Sequence, residues 1–323
     1  MTRVAGIDCG TNSIRLLIAD VERSPDGGAS LVDVTRLMEV VRLGQGVDRT
    51  GEFAPEALAR TLDATERYAA LCREHGVEAV RFVATSATRD ARNRDTFIGG
   101  VQERLGVEPE VISGTEEASL SFAGAVRVLG ADDAGPALVV DIGGGSTELV
   151  LGDAAAVAPV PDAAISLDVG CVRMTERHLA SDPPTVAEVE AARADIRAAL
   201  DQAAHTVPLE RVGTLVGVAG SVTTVTAHAL RLDSYRPERI DGARIPVGDV
   251  LAACEDLLRM TRSDRAALPY MHPGRVDVIG AGALVWSEVI TRVAQTAGVI
   301  TVTTSEHDIL DGIALSVLAR IEA

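Results

Sequence analysis

The sequence predicts an α/β protein of two related domains facing each other, and three observations carry that expectation. The chain has 323 residues, a length that suits two domains better than one or three. Apolar residues make up 47% of it and aromatics only 2%, so the cores must be assembled mostly from Val, Leu, Ile and Ala. The third observation is an internal repeat. Residues 7–20 align with residues 140–153 at a constant offset of 133, with identities at Asp8/Asp141, Gly10/Gly143, Ser13/Ser146, Leu16/Leu149 and Asp20/Asp153. Each copy reads as a buried strand, a tight turn of small residues and a second strand, the pattern of a β-hairpin.

The remaining elements follow in order. After the first hairpin, residues 56–75 and 92–105 have helical spacing, with strands expected over 80–85 and 108–112. The run Ala-Asp-Asp-Ala-Gly-Pro over 131–136 is the expected linker. Beyond the second hairpin, Thr185 and Glu188 form a capping box, and Val189, Ala192, Ile196, Leu200 and Ala203 then mark one apolar face. A buried strand over 214–218 runs into Ala219-Gly220-Ser221 and a helix to 230. Residues 276–279, followed by Gly280-Ala281-Gly282, are expected to repeat that strand–glycine–helix pattern. The last helix is expected to open at Ser305-Glu306-His307-Asp308 and to bury Ile309, Ile313, Val317 and Ile321.

Composition excludes several chemistries. All 30 basic residues are Arg and none is Lys, so a Walker-A lysine, a Schiff base and a pyridoxal-phosphate site are ruled out. A formal charge of −17 argues against DNA or an anionic membrane as partner, because polyanions are repelled at long range. The four cysteines form no C-x-x-C pair, which fits small buried residues in a reducing compartment. The six histidines show no metal-binding spacing, and there is no G-x-S-x-G elbow. Asp8 interrupts what would be a signal core, and no apolar run approaches the ~18 residues of a membrane helix. A soluble cytoplasmic protein is expected.

The two glycine turns carry the strongest chemical signal. Small residues over 10–13 and 143–146 let backbone N–H groups approach an oxyanion. Asn12, Ser13, Ser146 and Thr147 add side-chain donors. Asp8 and Asp141 each precede a turn, and carboxylates beside a phosphate imply a divalent cation between them. In Ser113-Gly114-Thr115-Glu116-Glu117-Ala118, Ser113 as N-cap gives Glu116 the position that reaches back to the cap. Glu117 is then left to project toward a ligand. Arg89, at the carboxyl end of a predicted strand, is placed to clamp phosphate oxygens, whereas Arg92 and Arg94 read as a solvated helix face.

Together, Asp8-Cys9-Gly10-Thr11-Asn12-Ser13-Ile14-Arg15, Ser113-Gly114-Thr115-Glu116-Glu117-Ala118 and Asp141-Ile142-Gly143-Gly144-Gly145-Ser146-Thr147-Glu148 resemble the exopolyphosphatase/guanosine pentaphosphate phosphohydrolase family. That family lies within the actin-like, sugar-kinase and heat-shock-chaperone ATPase superfamily. The resemblance spans the whole chain in order and implies two ribonuclease-H-like domains around a cleft, with the C-terminal helix returning to the first. The domains are then 1–130 with 305–323, and 131–304.

The resemblance also implies roles. Glu117 would orient and deprotonate the attacking water, and Arg89 would face the terminal phosphates. Asn12, Ser13 and Arg15 match the first phosphate-binding turn, and Gly143, Gly144, Gly145 and Ser146 the second. Asp141 and Glu148, with Asp8, are the acidic positions expected to hold Mg²⁺, or Mn²⁺ in its place. The implied activity is removal of the terminal phosphate from inorganic polyphosphate, with short chains preferred. Alternatives are the 5′-phosphate of guanosine pentaphosphate, a phosphotransferase or ATP-driven switch, and a noncatalytic sensor of polyphosphate or of an alarmone such as guanosine tetraphosphate. A cleft made locally positive by Arg15 and Arg89, aided by the metal and the backbone N–H groups, is expected to offset the acidic whole. Homodimerisation rests on the resemblance alone. The chain departs from larger family members in lacking their C-terminal helical extension, and residues 305–312 replace a more common basic ending.

Overall fold

A computed structural model describes residues 2–23, 29–130, 133, 135–154 and 161–321. Its contacts divide into two units, Met1–Gly124 with Ile309–Ala323, and Ala125–Asp308.

In the first unit, β1 (Thr2–Cys9), β2 (Ser13–Arg23), β3 (Ala29–Val40), β4 (Ala79–Ala84) and β5 (Glu110–Val111) form one sheet in the order β3-β2-β1-β4-β5. The β1–β2 and β2–β3 pairs are antiparallel, and β4 lies parallel to both β1 and β5. Its helices are α1 (Val47–Thr50), α2 (Pro55–Glu74), α3 (Ser86–Asp90), α4 (Arg94–Leu105), α5 (Gly114–Ala125) and the chain's last helix, α13 (Ile309–Ile321). Alternate strand residues face opposite sides of a sheet. Ile7, Leu16 and Phe82 accordingly pack with Tyr68 and Phe97 of α2 and α4. Val4 and Leu17 pack with Leu310 and Ala314 of α13, and Val83 joins Leu120 of α5 and Ile313.

In the second unit, β6 (Ala137–Ile142), β7 (Thr147–Gly152), β8 (Pro161–Leu167), β9 (Thr214–Val218), β10 (Arg244–Pro246) and β11 (Thr301–Thr304) form a sheet ordered β10-β11-β9-β6-β7-β8. Without β10, this is the first sheet again. β6–β7 and β7–β8 are antiparallel, and β9 is parallel to both β6 and β11. Helices α6 (Cys171–His178), α7 (Val186–Ala203), α8 (Ala219–Ala229), α9 (Pro237–Ile240), α10 (Val247–Arg259), α11 (Arg262–Ala266) and α12 (Ile279–Ala297) complete it. The unit's core runs from Leu138 and Val140 through Ile196 and Leu200 to the fully buried Trp286.

The predicted hairpins, the strand over 214–218 and the Thr185–Glu188 capping box are all present. Residues 276–279 are not a strand. Residues 276–278 are a turn leading into α12, which opens at Ile279, and the Val278 N–H donates to the Arg275 carbonyl at 3.0 Å. Val276, Asp277 and Val278 are half-exposed and Ile279 already belongs to α12, which leaves too short a run to pair in a sheet. The last helix begins at Ile309 rather than at Ser305. Ser305 instead accepts the His307 N–H at 3.0 Å and donates to the His307 carbonyl. Ile309, Ile313 and Val317 are buried as expected, and the side chain of Ile321 lies outside the described residues. So do Ala131, Asp132 and Ala134 of the expected linker, while the unit boundary falls earlier, after Gly124.

Candidate active site

The two turns have the same construction. The Gly10 N–H donates to the Ser13 carbonyl and the Gly143 N–H to the Ser146 carbonyl, each at 3.0 Å. In the first turn, the Thr11 carbonyl accepts from Gly44 at 2.8 Å, and the Asn12 carbonyl from Val41 and Arg42 at 3.1 and 2.8 Å. In the second, the Gly143 carbonyl accepts from Cys171 at 2.9 Å, and that of Gly144 from Val172 and Arg173 at 2.8 and 3.1 Å. The Gly145 carbonyl takes Arg173 Nε at 2.6 Å. A trans peptide sets its N–H antiparallel to its C=O. With the carbonyls committed to the 41–44 segment and to the start of α6, the N–H groups of residues 12–13 and 144–146 are turned the opposite way, as an anion-binding concavity requires. Gly170 permits this fit, since a Cβ there would meet the Gly144 backbone at 2.4 Å.

The same register position is occupied differently in the two copies. Opposite Asp8 on β2 stands Arg15, which binds it through Nε at 2.9 Å and Nη2 at 2.6 Å. Opposite Asp141 on β7 stands Glu148. Asp141 is 6% exposed and Glu148 1%, and Glu148 accepts the Ser166 hydroxyl at 2.6 Å. Like charges directly opposite one another weaken a sheet unless something neutralises them. Two carboxylates on adjacent strands beside a turn rich in N–H donors therefore suit a hard divalent cation, which takes one or two protein carboxylates and completes its shell with water and phosphate oxygens. Among the described residues, no group of three or more His, Cys, Asp or Glu is gathered as a metal site, and Asp8 is engaged by Arg15.

Ser113 caps α5 as expected, accepting the Glu116 N–H at 3.2 Å. The Glu116 carboxylate does not turn back to the cap. It is drawn to Arg81 at 2.5 Å, because a guanidinium outcompetes a neutral N–H for a carboxylate. Glu117, 8% exposed, receives Arg89 Nη1 at 2.6 Å, and the same nitrogen donates to the Ile112 carbonyl at 3.1 Å. Burial pushes the Glu117 carboxyl above its ordinary range. Arg89 and a hydrogen bond from Thr85 oppose that rise, and the Asp8 charge adds to it. The first unit thus brings Asp8, Arg15, Arg89 and Glu117 into one electrostatic group. Each of the two arginines pairs with a carboxylate, Arg15 with Asp8 and Arg89 with Glu117. Arg92 is exposed and pairs with Glu52.

Sequence reasoning missed Arg173, Thr85 and Ser166, the side chains that brace Gly145, Glu117 and Glu148. None lies in a motif, and for Arg173 the one available signal was a charge at the buried start of a helix. The four cysteines are free and buried, and burial raises the thiols. No helix among the described residues is long and apolar enough to cross a membrane.

One strand order used twice, each copy with an aspartate ahead of a glycine turn, defines an α/β protein of the actin-like ATPase fold. Residues 21–317 match the Ppx/GppA phosphatase family, and the chain belongs to that family. It is 54% identical over 321 residues to Exopolyphosphatase 2 of Mycobacterium tuberculosis, covering 98% of each chain. Exopolyphosphatase 1 of Mycobacterium bovis is 31% identical over 288 residues, which are 88% of this chain and 80% of that one. Among solved structures, an exopolyphosphatase-like protein superposes with a TM-score of 0.93 at 47% identity, over 99% of this chain and 100% of that one. The Aquifex aeolicus Ppx/GppA family member gives 0.79 at 27% identity, over 100% and 99%.

Proposed function

We propose that the protein is an exopolyphosphatase, hydrolysing the terminal phosphoanhydride bond of inorganic polyphosphate. The observation that carries this reading is a buried carboxyl, Glu117, held by Arg89 with its proton affinity raised by burial. A base poised above the ordinary carboxylate range can take a proton from water as it attacks phosphorus. The names of the full-length relatives support polyphosphate as the substrate. Short chains are the preferred form in this reading.

Glu117 accepts the proton of the attacking water, and Arg89 fixes that carboxylate while lending its remaining N–H groups to phosphoryl oxygens. In each unit the turn's N–H groups, those of residues 12–13 with the Ser13 hydroxyl and those of 144–146 with the Ser146 hydroxyl, are suited to hold phosphate oxygens and oppose the charge that develops on them. Asp141 and Glu148 would hold Mg²⁺, which when bound neutralises phosphate charge and orients the leaving group. Arg15 holds Asp8 in place at the foot of the first turn. The work is positioning and charge stabilisation, the main demands of phosphoryl transfer.

The test is phosphate release from short polyphosphate, long polyphosphate, guanosine pentaphosphate and ATP with Mg²⁺, for wild type beside Glu117→Gln. Release from polyphosphate at a kcat/KM above the nucleotides, lost by about 10³-fold or more in the variant, is the expected result. Equal loss on adding a chelator is expected, with recovery on returning Mg²⁺. Release from none of the four by folded, metal-loaded protein would leave a binding protein instead.

A further inference from the structure

Arg81 takes no part in the chemistry above, yet it is one of few charged side chains the fold encloses, at 4% exposed. It lies mid-way along β4, where Phe82 faces α2 and α4 and Val83 faces α5 and α13. Arg81 therefore shares the Val83 side of the sheet. There its guanidinium spans three elements. Nη2 donates to Glu116 Oε1 of α5 at 2.5 Å and to Glu110 Oε2 of β5 at 2.9 Å. Nη1 donates to Ser316 Oγ of α13 at 2.8 Å. The Ser316 hydroxyl gives its own hydrogen to the Ile313 carbonyl at 2.6 Å, which leaves its oxygen to accept from Arg81.

Glu116 stands in the first turn of α5 immediately before Glu117. Successive side chains on a helix point ~100° apart, so Glu116 can be tied to the sheet while Glu117 reaches Arg89. Further along α5, a Cβ on Gly312 would lie 2.0 Å from the Leu120 carbonyl oxygen; here the α13 and α5 backbones touch. The rotation of α5 about its axis is thus fixed at two points, and both refer to α13.

We propose that Arg81 is a positioning residue, setting through Glu116 the azimuth of the first turn of α5 and with it the place of the Glu117 carboxylate. The proposal rests on the reading of Glu117 as the base. An arginine suits the task because one planar fork serves acceptors on three elements, which an ammonium cannot do in fixed geometry. A base displaced by about 1 Å costs on the order of 10²-fold in rate. Glu110 shares the guanidinium but belongs to β5, so its loss removes the same kind of bond without releasing α5.

The test measures kcat, KM, the pH profile of polyphosphate hydrolysis and thermal unfolding for wild type, Glu116→Ala, Glu110→Ala, Arg81→Lys, Arg81→Met and Glu117→Gln. Glu116→Ala is expected to lower kcat about tenfold with KM within about twofold, and to move the acid limb to lower pH as water reaches Glu117. Glu110→Ala is expected to keep kcat within about twofold, and Arg81→Lys to fall between wild type and Arg81→Met. Adding Glu116→Ala to Arg81→Met should lower kcat no further, as for residues acting through one contact. If Arg81→Met fails to fold, Glu116→Ala decides, because the Glu116 side chain is 44% exposed and its loss is tolerable. A melting temperature lowered alike in Glu116→Ala and Glu110→Ala, with kcat unchanged in both, overturns the proposal alone. A Glu117→Gln variant that retains activity overturns the reading of the base, and the proposal with it.

Discussion

Glu117 is a carboxyl whose surroundings work against one another. Burial raises its proton affinity, the Asp8 charge reinforces that, and Arg89 and Thr85 resist it, with a net upward shift. A carboxyl whose folded pKa exceeds its unfolded one binds more protons when folded. Its contribution to stability is present below the unfolded value of ~4.3 and is lost as pH rises through the folded value. Glu117→Gln, neutral throughout, is therefore expected to be at least as stable as wild type at pH 8, with the advantage fading toward pH 4. Denaturant titrations at both pH values check this. A loss above about 1 kcal/mol at pH 8 would mean that Arg89 wins the balance. In activity the same shift places the acid limb of kcat above the ordinary carboxylate range, rising with pH as the base is freed.

At the scale of elements, the two turns, the capping box and the glycines are where short stretches of sequence dictate geometry. The Glu188 carboxyl is held down to about 2, chiefly by the Thr185 N–H, with the Thr185 hydroxyl and Ser181 adding to it. A depressed carboxyl stabilises the fold above its unfolded pKa, and that support is lost as pH falls through the folded value. Glu188→Gln should accordingly lower the melting temperature at pH 7 and converge on wild type as pH falls from ~4 toward 2. Gly312→Ala should cost about 2 kcal/mol or more, since its methyl group must displace the Leu120 carbonyl. Equal unfolding midpoints for Gly312→Ala and wild type would show that α13 and α5 separate freely. Capping boxes and glycine turns are local, which is why Thr185–Glu188 and the 10–13 and 143–146 turns were legible in the sequence. Strands β10 and β11 were not, because Arg244–Pro246 and Thr301–Thr304 are too short to show a period of two. Their pairing is set by tertiary context. Val276 to Ile279 misled for the converse reason, having strand composition without a neighbour. Arg81 and Arg173 escaped notice because a buried arginine is defined by partners far away in the chain.

For the whole molecule, charge is the dominating fact. At −17 the protein repels a polyanion, and Arg15 and Arg89 of the first unit are each paired with a carboxylate. Association with long polyphosphate should therefore quicken as salt rises from low to physiological ionic strength, where the screening length falls to ~8 Å. With Mg²⁺ saturating, kcat/KM measured from 20 to 150 mM salt (about a Debye length of 20 down to 8 Å) should increase. A steep decrease would reveal a positive field that the four paired side chains do not provide. The repeated hairpin was readable from sequence because the 133-residue offset holds through both of its strands; the repeated strand order was not. Asp8 faces Arg15 and Asp141 faces Glu148 in the same register.

That register makes each copy a matched control for the other. Arg15 gives the first hairpin an internal counterion, so its folding should be indifferent to added metal. Glu148 instead sets a second carboxylate opposite Asp141 in the second, the pair that in the proposed function would hold Mg²⁺. Wild type is therefore expected to gain thermal stability on titration with Mg²⁺, as any ligand of the native state confers, and Glu148→Arg, which copies the first hairpin's solution into the second, is expected to lose that response. A divergence of one side chain between two copies of the same hairpin would then separate a self-contained support from a metal-dependent one.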